Sequence, residues 1–212
     1  MASPRPKWPH PSRPDARLLL GPGLICFDTM MVTSLVRANK TQLLLESMRT
    51  RARMPERVCG ELRGHARETP EITRVLPPAF GQSVKLDRAA ALRASVQQRA
   101  WNSDAEIQAN PHKDRGEAEC LELCKEHGWP LMTQDHKAVR TGPRRGVVVF
   151  GMPELLMVMV AEERLLAVSA WKIYEVVRAG GLPKADGWPL TDEGCDRFLR
   201  CCEEMRATPP SP

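Results

Sequence analysis

Gly21-Pro22-Gly23-Leu24-Ile25-Cys26-Phe27-Asp28 is the stretch that decides the fold. Two glycines around a proline punctuate the chain, four apolar residues follow without a break, and an aspartate ends the run. So short and continuous an apolar stretch is the pattern of a strand buried on both faces. Residues 30–48 then change to helical spacing, with a break near Asn39. Residues 51–54 read as a second short strand. Pro55 opens an element in which Val58, Leu62 and Ala66 recur at i, i+4 and i+8, again helical.

The second half repeats the alternation. Residues 114–127 predict a helix, with Asp114 as its N-cap and Gly128 just past its end. Residues 130–133 predict a short strand, 134–140 a turn and short helix, and Gly146-Val147-Val148-Val149-Phe150 another buried strand. Helices are expected over 153–160, 167–179 and 191–205. Residues 71–110 resist this reading: Pro77-Pro78 breaks them, and only 86–101 has helical spacing. There are no internal repeats. Short, continuously apolar strands that alternate with helices predict an α/β fold with a parallel sheet.

The chain has 212 residues, 42% of them hydrophobic and 27% charged, which excludes a wholly disordered chain, a coiled coil and a collagen-like fibre. Its most apolar runs, 18–20 and 155–161, fall far short of the roughly 20 residues that cross a bilayer, so no membrane partner is expected. Residues 1–14 are proline-rich and lack the apolar centre of a secretory signal, so a cytoplasmic location is expected. Residues 1–17 read as a flexible arm and 181–212 as a C-terminal helix followed by a disordered tail. Seven cysteines, an odd number in a chain large enough to build a core, read as free thiols. Cys120, Cys124 and His127 share helical spacing, which small buried cysteines explain better than a metal does. Net charge is +5, and six arginines between 49 and 67 face only two glutamates. That run could track a phosphate backbone, but a solvated basic face is the favoured reading. The five tryptophans are scattered and form no stacking platform for bases.

In a parallel sheet, chemistry collects at the carboxyl ends of the strands. Asp28 directly follows the first strand, and Asp135 follows the strand at 130–133 with one residue between. Glu61 lies about a helical turn beyond the second strand, and Glu117 lies in the first turn of the helix that precedes Asp135. Each has an ordinary role open to it. Asp28 can cap a helix, Glu117 stands at capping-box spacing from Asp114, Asp135 suits a turn, and Glu61 can pair with Arg57. Brought together, four carboxylates repel one another and are costly to desolvate. A divalent cation that prefers oxygen, Mg²⁺ or Mn²⁺, stabilises such a group. It also lowers the pKa of water and offsets charge on a phosphate under attack, the chemistry of a nuclease or phosphatase.

These stretches resemble the PIN domain family. Leu24-Ile25-Cys26-Phe27-Asp28-Thr29 looks like its opening strand and first acid, and Pro55-Glu56-Arg57-Val58-Cys59-Gly60-Glu61-Leu62 is similar to its second motif. Arg115-Gly116-Glu117-Ala118-Glu119 resembles the Gly-Glu-Ala-Glu form of the third, found in one branch that includes toxins of the VapC type. Leu131-Met132-Thr133-Gln134-Asp135 resembles the fourth. The likeness spans residues 22–180. It implies a three-layer α/β/α sandwich with a parallel sheet of about five strands. It further implies a Mg²⁺- or Mn²⁺-dependent ribonuclease, often the toxin of a toxin–antitoxin pair. On this chain Asp28 and Asp135 would be the most direct metal ligands, with Glu61 and Glu117 completing the cluster. Thr133 would place a hydroxyl near the site, and Arg57 and Arg63 would meet the RNA. An antitoxin would present an arginine to the carboxylates, and a homodimer is a common family assembly. The apolar helix at 155–160 suits the core better than such an interface. One position departs from the pattern: Met30 stands where the family commonly has Asn, which makes a catalytically weak or inactive RNA-binding scaffold the alternative.

Overall fold

The computed structural model describes residues 15–180 and 190–207; most of the expected arm and the end of the expected tail lie outside the described residues. Five strands, β1 (Ile25–Phe27), β2 (Ala52–Pro55), β3 (Gln82–Val84), β4 (Leu131–Met132) and β5 (Val149–Phe150), form one sheet in the order β3-β2-β1-β4-β5. Every pairing is parallel. Parallel neighbours require crossovers, and the intervening helices supply them. The result is an α/β/α sandwich. The first apolar run is the central strand, and Ile25, Cys26 and Phe27 are all buried.

The order of strands is the fact that places the site. From β1 the chain builds outward to β2 and β3, then returns to the other side of β1 to lay down β4 and β5. The direction of winding therefore reverses between β1 and β4. In open parallel sheets, ligands bind in the crevice that such a reversal opens at the carboxyl ends of the strands.

Helices α1 (Thr29–Arg37) and α2 (Thr41–Met48) divide where Asn39 takes a left-handed conformation, φ 56°. Helix α3 (Glu56–His65) follows Pro55 as its spacing predicts. Helix α4 (Arg88–Trp101) stands where 86–101 has helical spacing, α5 (Asp104–Ala109) follows in the stretch left unread, and α6 (Arg115–His127) lies against β1, β2 and β4. After β4 come α7 (His136–Thr141), then, beyond β5, α8 (Met152–Ala161), α9 (Ala167–Ala179) and α10 (Asp192–Ala207). Every residue of α8 from Met152 to Val160 is buried. The short 3-10 turn Ala16–Leu19, α9 and α10 pack around it, so the apolar run belongs to the core. The boundary drawn at 180 does not end that core: α10 buries Phe198, Cys201, Cys202 and Met205. Nor does the arm reach 17, because Ala16 and Leu19 are buried. No helix among the described residues is long and apolar enough to cross a membrane.

Three local expectations change. Asp114 adopts φ 55° and makes no side-chain cap of α6; its carboxylate pairs with Lys137 at 2.5 Å, where a full cation outcompetes the helix amides. The valine run yields only two strand residues, because Gly146 (φ 76°) closes a 3-10 turn and Val147 still bonds back to Gly142. The arginine run forms no single basic face. Arg51 is buried, donating to the carbonyls of Gly23 (2.9 Å) and Leu19 (2.6 Å), and so fastens the start of the chain to β2.

Candidate active site

Asp28 directly follows β1 and Asp135 lies just beyond β4, at the carboxyl ends of neighbouring strands. Ladder geometry brings the two loops together: the Asp28 amide donates to Met132 O (3.1 Å), at the end of β4. Asp28 is almost wholly buried. Its Oδ1 accepts from the Met31 amide at 2.8 Å, capping α1, and its Oδ2 accepts from the Thr133 hydroxyl. The same Thr133 Oγ1 accepts from the Asp135 amide at 3.0 Å, while Asp135 Oδ1 caps α7 through Ala138 N at 2.8 Å. One fully buried hydroxyl thus ties both aspartate loops. Thr133 has no exposed surface to offer a substrate; it is a positioning residue.

Two glutamates arrive from α3 and α6. Glu61 Oε2 accepts from Thr29 Oγ1 at 2.5 Å, and Glu61 Oε1 faces Arg57 Nε at 3.7 Å. Gly116, at the start of α6, lies beside the Glu61 carboxylate: a Cβ there would sit 2.8 Å from Glu61 Oε1. A larger residue there would displace that carboxylate, which gives the Arg115-Gly116-Glu117 stretch a steric reason.

The electrostatics show that the carboxylates sense one another. Burial pushes the Asp28 carboxyl up to about 7, with the charge of Asp135 adding to it and the bonds from Thr133 and Met31 opposing it. Burial likewise pushes Glu117 up to about 8, and the charges of Asp28, Glu61 and Asp135 all add. Glu61 is raised by burial, against the pull of Thr29 and Arg57. All four sequence-predicted acids therefore belong to one electrostatic neighbourhood.

The donor set suits Mg²⁺ or Mn²⁺: it is all oxygen, its charge is in excess, and it is largely withdrawn from water. Among the described residues, no three His, Cys, Asp or Glu side chains stand as a ready-made metal-ligating group. Without a cation, proton uptake at Asp28 and Glu117 relieves the repulsion that a cation would otherwise offset. Gln134, between Thr133 and Asp135, is buried with neither amide atom hydrogen-bonded within the protein, a costly arrangement at the same loop.

The remaining candidates divide. Arg57 stays beside Glu61. Arg63 is exposed and acts on Cys59 instead, because two residues further along α3 turn a side chain by about 200°. Met30 packs against the core. Cys120 and Cys124 are buried with Cys26, while His127 stacks on Trp129 at 4.3 Å between centroids, so the three do not form a common site. Sequence reasoning missed Glu122, which is buried and ion-paired to Arg93 (2.8 Å) and Arg145; this joins α4, α6 and the turn before β5. Its signal, an acid on the inner face of an amphipathic helix, is easily read as a surface residue.

Thr133→Val keeps the shape and removes the shared hydroxyl. It is expected to cost about 1–3 kcal/mol in urea unfolding, since two buried groups lose a partner. Thr133→Ser should restore most of that stability.

Comparison with family models, with curated proteins and with solved structures finds no match to this chain.

Proposed function

We propose that the protein is a divalent-metal-dependent ribonuclease, of the kind that serves as the toxin of a toxin–antitoxin pair. What supports this reading is that Asp28, Glu61, Glu117 and Asp135 lie near the reversal of the sheet within reach of one another's charge, where burial and mutual charge raise two carboxyls to about 7 and 8. The four motifs that resemble a PIN domain agree with it in type and order. Asp28, Asp135, Glu117 and Glu61 would hold Mg²⁺ or Mn²⁺. When bound, the cation lowers the pKa of water and offsets charge on the phosphate under attack.

The protein's own groups do the positioning. Thr133 Oγ1 fixes Asp28 Oδ2 and the Asp135 loop, and Thr29 Oγ1 fixes Glu61 Oε2, so two carboxylates are oriented before anything binds. Hydrolysis then adds water to phosphorus and breaks its bond to the leaving ribose oxygen. An antitoxin arginine entering the crevice would meet the same carboxylates.

A catalytically inactive RNA-binding scaffold is the second reading, favoured by Met30, whose apolar side chain packs on the core and orients no acid. The test is cleavage of a labelled single-stranded RNA with Mn²⁺ and with EDTA. The wild type should cut only with Mn²⁺, and Asp135→Asn should lower the rate on the order of 10³-fold. RNA that is bound and left intact with Mn²⁺ present would favour the scaffold.

A further inference from the structure

The stretch 71–110, of which the sequence read only 86–101, builds a second feature beside the carboxylates. A cleft of about 450 Å³ opens between α3, α4, the loop after α5 and the start of α6, lined by Arg57, Arg99, Arg115, His112, Ser95 and Glu119 among others. That volume is in the range of small-ligand sites. Three guanidiniums face one carboxylate in this lining, so the cleft is electropositive.

Its construction is specific. Gln98 is buried and donates to Pro111 O (2.9 Å) and Lys113 O (2.8 Å), which holds the loop that carries His112. Arg115 is committed to Glu119 (2.8 Å) and to Ala91 O (2.9 Å), which joins α6 to α4. The other two arginines are held less firmly. Arg99 is exposed and has no ion pair among the described residues. Arg57 meets Glu61 only at 3.7 Å, and its buried Nε has no hydrogen-bond partner.

The cleft adjoins the acids. Arg57 and Glu61 lie one turn apart on α3, Arg115 precedes the Gly116 that touches Glu61, and the charge of Glu119 reaches Glu61. A strand crossing the carboxylates therefore meets these guanidiniums next. The lining residues above include no aromatic ring other than His112, so they suit a phosphate rather than a stacked base.

We propose that this cleft seats a backbone phosphate of single-stranded RNA, next to the phosphate at the carboxylates, and so fixes the path of the strand. The proposal rests on the ribonuclease reading, and the experiment separates the two. Arg99→Ala and Arg99→Glu are placed in the full chain carrying Asp135→Asn, which should keep cleavage slow over the time of a binding measurement. Binding of a fluorescein-labelled 12-nucleotide RNA is followed by anisotropy across a salt series with Mn²⁺, with Arg164→Ala, remote from the cleft, as control. Arg99→Ala should weaken binding about 5- to 10-fold and flatten the salt dependence by about 0.7 in log–log slope, the loss of one phosphate contact. Arg99→Glu should weaken it further, and Arg164→Ala should leave it unchanged. Unaltered affinity and slope in both Arg99 variants would overturn the proposal, as would an equal loss in the control. If the otherwise unsubstituted protein cuts RNA but Arg99 has no effect, the cleft fails and the nuclease stands. If it cuts nothing while Arg99 still governs binding, the nuclease fails and the cleft stands.

Discussion

Asp28→Asn is expected to reduce RNA cleavage on the order of 10³-fold or more while making the metal-free protein more stable above neutral pH. The two effects share one cause. Asp28 is buried, and its carboxyl is held up at about 7, so ionising it in the folded protein costs free energy. An amide is isosteric and stays neutral. Its oxygen can still accept from Met31 N, and its NH₂ can donate to Thr133 Oγ1. At pH 8.5 the gain should be on the order of 2 kcal/mol by urea unfolding, allowing for relaxation of the site. Cleavage falls because the variant has lost the negative charge that would hold the cation. A variant that is both less stable and fully active would place Asp28 in an ordinary capping role.

The second large effect is a pH dependence opposite in sign to common acid denaturation. Asp28 and Glu117 titrate near 7 and 8 when folded, against ordinary carboxyl values of 3.8 and 4.5. Between those limits the folded state holds more protons than the unfolded state, so raising the pH favours unfolding. The stabilisation is full near pH 4, declines as pH rises through 7 and 8, and levels off above. A loss of a few kcal/mol between pH 5 and pH 8.5 is expected in metal-free buffer. Mn²⁺ at about a hundred times its dissociation constant should restore about 2.7 kcal/mol at the upper pH, and little at pH 5, where protons occupy the acids. Stability that climbs steadily from pH 5 to 8.5, or that ignores Mn²⁺, would contradict the linkage.

Much of this arrangement is legible in the chain before folding. The run from Leu24 to Phe27 announces a central strand because it is short, apolar throughout and punctuated on both sides. That reading places Asp28 at a strand end, and the same logic places Asp135. Strand β3 was not legible: Gln82 and Ser83 are exposed at the sheet edge, so no apolar pattern marks them. Helix α5 buries nothing and shows only its Ser103–Glu106 capping box. The order of strands, and so the reversal between β1 and β4, depends on pairings between residues far apart in sequence. The roles of the arginines were hidden for a related reason. Arg51, Arg57 and Arg63 look alike in a basic run, yet tertiary packing makes one a buried fastener, one a neighbour of Glu61 and one a surface residue. Gly116 read as part of a motif; its steric role appears only once Glu61 is set beside it.

The most direct test is a Mn²⁺ titration of the metal-free protein at pH 7.5, followed by electron paramagnetic resonance of the free ion. Convergence of the four acids on a shared cation predicts tight Mn²⁺ binding that weakens at least about 100-fold when Asp28→Asn and Asp135→Asn are combined. Mn²⁺ binding that is the same in the folded double variant as in the wild type, or absent from both, would contradict it.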